Sequence, residues 1–120
     1  GTGAEGERGE GPGKGFTVNV PLARWTTAAD YLGHLERFLS GQARDYRPEF
    51  VLVSAGFDGY VRDPLGAFCL EAEHFREITL RLRDLASECC AGRLVSTLEG
   101  GYNLRDLPGL MAAHAGALLE

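Results

Sequence analysis

Basic residues are too few in this sequence to grip a phosphate backbone: 12 lysines and arginines stand against 17 acidic residues, a formal charge of −5. Nucleic acid is therefore not expected as a direct partner. No apolar run approaches the roughly 18 residues of a membrane-spanning helix, so a soluble protein with no membrane partner is expected. Cysteines are scarce and odd in number, three in all, with Cys89 and Cys90 adjacent. That pattern gives neither a disulfide framework nor a Cys-x-x-Cys metal knuckle, and points to a reducing, cytoplasmic setting. The N-terminus has neither the basic nor the apolar stretch of a signal peptide, so none is expected. A start at Gly1 in place of Met suggests that upstream sequence is missing or processed. What is there, 120 residues, suffices for one modest core and one domain, or a piece of one.

Residues 1–15 hold seven of the 17 glycines among Glu5, Glu7, Glu10, Arg8 and Lys14, a composition that reads as a loop. From Phe16 the chain alternates, with Phe16, Val18 and Val20 apolar and Pro21 closing the run, which predicts a short strand. Thr27 and Asp30 have capping-box spacing, with Asp in place of the usual Glu or Gln. Tyr31, Leu32, Leu35, Phe38 and Leu39 follow at helical intervals, predicting a helix near 28–45 that Arg47 and Pro48 break. The apolar run 50–55 predicts a strand covered on both faces. Phe75, Ile78, Leu82 and Leu85 mark a helix near 72–90, stopped by Gly92. Leu94 to Leu98 predicts a third strand, and a last helix begins near Asp106, with Pro108 tolerable in its first turn. Strands alternating with helices imply right-handed crossovers and a parallel sheet flanked by helices.

In such sheets, ligands gather beyond the carboxyl ends of the strands. Two loops qualify: Ser54 to Gly66, which carries Asp58 and Asp63, and Leu98 to Asn103, which carries Glu99, Gly100, Gly101 and Tyr102. If the two strands are neighbours, both loops share one rim. On local pattern alone, Asp63 reads as a turn cap before Pro64, and Tyr102 as a tyrosine packed where a helix begins. Gly100 and Gly101 would let backbone come close to a narrow channel or adopt positive φ. Asp58 reads as a structural carboxylate.

The strings Ser-Ala-Gly-Phe-Asp (54–58), Asp-Pro-Leu-Gly (63–66) and Leu-Glu-Gly-Gly-Tyr-Asn (98–103) resemble the histone deacetylase family, class II and bacterial deacetylase-like members in particular. Gly1-Thr2-Gly3, Gly15 to Pro21 and the closing helix extend the likeness over nearly the whole chain, as the C-terminal portion of a catalytic domain. The resemblance implies a three-layer α/β fold with a parallel sheet, of the arginase/deacetylase type. It also implies a zinc-dependent amidohydrolase acting on acetyl-lysine or a similar acylated amine. In that family the aspartate of Asp-Pro-Leu-Gly is a zinc ligand, which implies that Asp63 binds Zn2+. Tyr102 matches the tyrosine that hydrogen-bonds the oxyanion as water adds. Tyrosine here, where some members carry histidine and act weakly on acetyl-lysine, favours an active enzyme. Gly100 and Gly101 would shape the substrate-binding wall without doing chemistry.

The family's His-His pair and Asp-x-His motif are not in this sequence. The isolated 120 residues are accordingly expected to bind zinc poorly and to be inactive. An acetylpolyamine amidohydrolase and a non-catalytic binding module are the alternatives. His34, His74 and His114 fall far apart on predicted helices and read as surface or packed residues. The Gly-x-Gly-x-x-Gly string at 1–6 precedes a strand where a dinucleotide fingerprint would follow one, and Gly13-Lys14-Gly15 lacks P-loop spacing, so no nucleotide is expected.

Overall fold

The computed structural model describes residues 3–66 and 68–120. Gly1 and Thr2, part of the first string quoted above, lie outside the described residues. Helix α1 spans Ala28–Phe38. Its first turn is closed as the Thr27–Asp30 spacing predicts: the Thr27 hydroxyl accepts from the Asp30 amide at 3.2 Å and donates to its carboxylate at 2.8 Å. The helix continues through a π turn at Leu39–Ala43 into the short helix α2, Arg44–Tyr46. Arg47 then ends it, with φ 52°, just before Pro48. Gly41, near which the pattern fades, lies inside the π turn.

Strand β1, Val51–Ala55, runs parallel to β2, Leu94–Leu98, in a register that pairs Val51 with Leu94 and Ala55 with Leu98. Between them α3, Ala72–Cys90, forms the crossover. Its C-terminus closes on Ala91 and Gly92, both at positive φ, with the Gly92 amide donating to Ala86 O at 2.9 Å; glycine takes this conformation at least cost. The last helix, α4, spans Leu107–Leu119 with Pro108 in its first turn.

Two expectations are corrected. Phe16 to Val20 is not a strand, and the sheet of the described residues has two strands, not three. Alternation makes a segment fit to be a strand, but a ladder requires a neighbour's N–H and C=O groups. Here Asn19 is drawn to the glycine-rich loop, its amide donating to Ala4 O at 2.9 Å. The Phe16 ring meets Tyr46 edge-on at 5.8 Å. Secondly, the apolar run of β1 is covered on one face only. Val51 and Ala55 pack against helical residues, whereas Leu52 is 78% exposed. On the other face Leu52, Ser54 and Val95 are exposed.

The core is built on the covered face in two patches. Leu39 and Ala43 of the π turn and Leu85 of α3 pack over Val51. Phe57, Tyr60, Leu70, Phe75 and Leu110 pack the loop after β1 against α3 and α4. A polar bridge passes through this layer. Thr79 spends its one hydroxyl proton on Phe75 O at 2.7 Å, so at 2.6 Å it accepts from Nδ1–H of His114. That leaves Nε2 to accept from Ser96 at 2.9 Å. Burial holds the His114 pKa below its ordinary value, in keeping with a neutral ring. The histidine is thus a packed link between α3, β2 and α4. His74 is a cap instead: its Nδ1 accepts from the Glu71 amide at 2.9 Å while the His74 amide donates to Glu71 O at 3.0 Å. Among the described residues, no helix is long and apolar enough to cross a membrane.

Candidate functional site

The parallel pairing of β1 and β2 sets the two loops side by side, and backbone hydrogen bonds continue the contact past the strand ends. The Glu99 amide donates to Ala55 O at 3.0 Å, and the Phe57 amide to Gly100 O at 2.8 Å. Beyond Phe57 the first loop folds back, with the Val61 amide donating to Leu70 O at 2.9 Å and the Asp63 amide to Tyr60 O at 2.9 Å. Asp63 is thereby raised to the level of the second loop.

Each oxygen of the Asp63 carboxylate has its own task. Oδ1 accepts from the amides of Leu65 and Gly66, both at 2.8 Å, which is the turn-capping role that the local pattern suggested. Oδ2 reaches across to the second loop and accepts from the amides of Tyr102 at 2.7 Å and Asn103 at 3.3 Å. Burial by itself would raise this pKa. The four backbone N–H groups of Tyr102, Leu65, Gly66 and Asn103 outweigh it and hold the carboxyl below the usual carboxylate range. Asp63 is therefore an anion fixed in place, the form in which a carboxylate ligates a metal.

The structure brings Asp63 and Tyr102 together on one rim. The Tyr102 side chain is 50% exposed, and among the described residues its hydroxyl makes no hydrogen bond. Gly100 and Gly101 lie where the loops pack closely. A Cβ on Gly100 would lie 2.9 Å from Asp58 Oδ1. Gly101, at φ 135°, would place one 3.0 Å from Phe57 Cβ. Asp58 is exposed, and its carboxylate lies against Gly56 and Gly100. The tightest position is Gly66, where a Cβ would lie 1.3 Å from Asp58 O. Gly66→Ala must displace the backbone around Asp63, and is expected to lower the unfolding free energy of the intact protein by about 1–3 kcal/mol. Urea midpoints measure this, and an unchanged midpoint contradicts the packing described.

Residues that the sequence reading passed over stitch this rim together. The Asn103 side chain donates to Arg62 O at 2.9 Å and to Asp106 Oδ2 at 3.2 Å, while its Oδ1 accepts from the Asp106 amide at 3.1 Å. Tyr60 donates to the same Asp106 oxygen at 3.1 Å. Arg62 lies over the Tyr60 ring, donates to its hydroxyl, and pairs with Asp106 at 3.4 Å and Glu71 at 3.6 Å. The Asn-x-x-Asp spacing just before a helix was the available signal, since it is that of a cap. The tie to Arg62 leaves no such mark.

Among the described residues, no three His, Cys, Asp or Glu side chains are grouped to hold a metal ion. Asp63 fits a zinc site in kind, as one anionic oxygen donor, and falls short of one in number.

Comparison with known proteins sets these loops in context. The histone deacetylase domain model matches residues 1–118. The chain is 43% identical over 107 residues to type-2 histone deacetylase 1 of Dictyostelium discoideum, covering 89% of this chain and 7% of that protein. It is 42% identical over 100 residues to polyamine deacetylase HDAC10 of Danio rerio, covering 82% of this chain and 14% of that one. Among solved structures, the HDA15 HD domain superposes with a TM-score of 0.89 at 36% identity, over 98% of this chain and 32% of that chain. The chain thus spans a third or less of the length of these relatives. Its two strands and their helices are part of the larger α/β fold that they share.

Proposed function

The chain belongs to the histone deacetylase family, and from that premise we propose that it carries Asp63 and Tyr102 into the active site of a zinc-dependent hydrolase that removes acetyl groups from acetyl-lysine or a similar acylated amine. One observation supports this reading: the Tyr102 amide donates to the Asp63 carboxylate at 2.7 Å, which joins the carboxylate to the backbone that bears the phenol. Asp63 supplies one oxygen donor to zinc, and the remaining ligands come from outside these 120 residues. Zinc bound there would act as a Lewis acid on the amide carbonyl and favour a nucleophilic water.

The residues of this chain act around that chemistry. Backbone amides hold Asp63 as an anion, so no proton has to leave it when a cation binds. The unengaged Tyr102 hydroxyl is available to donate to the substrate oxygen, a bond that strengthens as negative charge develops there. Gly100 and Gly101 keep the second loop close over Phe57 and Asp58, and would form the wall along which a slender acylated chain reaches Tyr102. The water's proton goes to a base outside this chain.

A relative whose name specifies polyamine deacetylation supports the second substrate reading. The two are separated by kcat/KM of the intact protein on an acetyl-lysine peptide and on an acetylpolyamine. The expected result is a preference for the peptide of about tenfold or more. The reverse preference selects the acetylpolyamine reading, and turnover of neither selects the non-catalytic binding module.

A further inference from the structure

We infer that Asn103 is a positioning residue for the reaction, a brace that fixes the Tyr102 phenol relative to Asp63; this rests on the catalytic reading of Tyr102 given above. The observation is a pair of parallel ties between two consecutive residues on each loop. Tyr102 is bound through its amide to Asp63 at 2.7 Å, and the next residue, Asn103, is bound through its side chain to the carbonyl of Arg62, the residue before Asp63, at 2.9 Å. The Asn103 amide also reaches Asp63 Oδ2 at 3.3 Å, and the Phe57 amide reaches Gly100 O at 2.8 Å. The Asn103 side chain adds the tie that reaches past Asp63 to the backbone of the residue before it.

The rest of the Asn103 side chain is occupied in holding the brace. Its Nδ2 also faces Asp106 Oδ2 at 3.2 Å, and its Oδ1 accepts from the Asp106 amide at 3.1 Å, just before α4 begins. Asp106 is itself held by Tyr60 and Arg62 of the first loop. The Tyr102 ring is half exposed with no hydrogen bond at its hydroxyl among the described residues, so its direction is inherited from this backbone. Small errors in the placement of such a group are costly, on the order of a hundredfold in rate for about 1 Å.

Two functions of Asn103, the turn that leads into α4 and the tie between loops, are separable by substitution. Asn103→Ser retains an oxygen able to accept from the Asp106 amide but is too short to donate to Arg62 O. In the intact protein, it is expected to lower kcat by about tenfold to a hundredfold with KM and melting temperature nearly unchanged. Asn103→Asp, whose oxygen would face Arg62 O and Asp106, is expected to be worse. The decisive readout repeats Asn103→Ser together with Tyr102→Phe. If Asn103 acts by aiming the phenol, its effect on kcat shrinks to about twofold or less once the hydroxyl is gone. An equal loss in both backgrounds, or wild-type kcat for Asn103→Ser, overturns the brace. Full activity of Tyr102→Phe alone is read separately in the same cycle, and removes the premise.

Discussion

Tyr102→Phe in the intact protein is expected to reduce kcat by about a hundredfold to a thousandfold, the cost of losing one well-placed oxyanion donor. KM and thermal stability should hardly change. The contrast follows from the ring's surroundings: the side chain is 50% exposed and its hydroxyl has no partner among the described residues, so deleting the oxygen orphans nothing in the fold. An interaction made in the transition state and absent from the ground state lowers kcat and kcat/KM together. A drop in melting temperature alongside activity would instead mark Tyr102 as a packing residue.

Asp63→Ala should act on both metal and fold. With the carboxylate gone, the amides of Leu65, Gly66, Tyr102 and Asn103 lose their acceptor, and the two loops lose their closest tie. A stability loss of about 1–3 kcal/mol is expected at neutral pH, with zinc affinity lower by about tenfold at the least and activity at background. The sign of the pH dependence is determined by the depressed pKa. The folded protein binds this proton less readily than the unfolded chain, so the carboxylate's contribution is full above its ordinary value of 3.8 and is lost as pH falls through the lower folded value. The stability difference between wild type and Asp63→Ala should therefore shrink as pH drops below about 3.8. Urea unfolding across that range measures it. A difference that grows towards acid would contradict the account of Asp63.

What could be read in advance depended on whether its cause was local. Helix α3 lies where apolar spacing and Gly92 placed it, at Ala72–Cys90, and β2 matches the run 94–98. Those signals sit within the elements themselves. The segment 16–20 carried an equally good alternating pattern and did not become a strand, because pairing depends on a neighbour that no local pattern specifies. Likewise, the exposure of Leu52 depends on what covers the far face of the sheet, and not on the residues of β1.

The site divides along the same line. Local pattern marked Asp63 as a turn cap, and its Oδ1 is one. Only the order of the family-like strings singled out Tyr102 as its companion. The contact between them, through Oδ2, spans 39 positions, and the Asn103 tie to Arg62 spans 41. Separations of that size are created by the crossover through α3, so residues such as Arg62 and Asn103 become visible only once β1 and β2 are paired.

The most direct test is a crystal structure of the intact protein with zinc, the metal placed by its anomalous scattering. The account predicts an Asp63 oxygen about 2.0–2.2 Å from zinc, with the Tyr102 hydroxyl turned into the same cavity. Zinc bound without Asp63, or a Tyr102 ring directed away from it, would contradict the shared site.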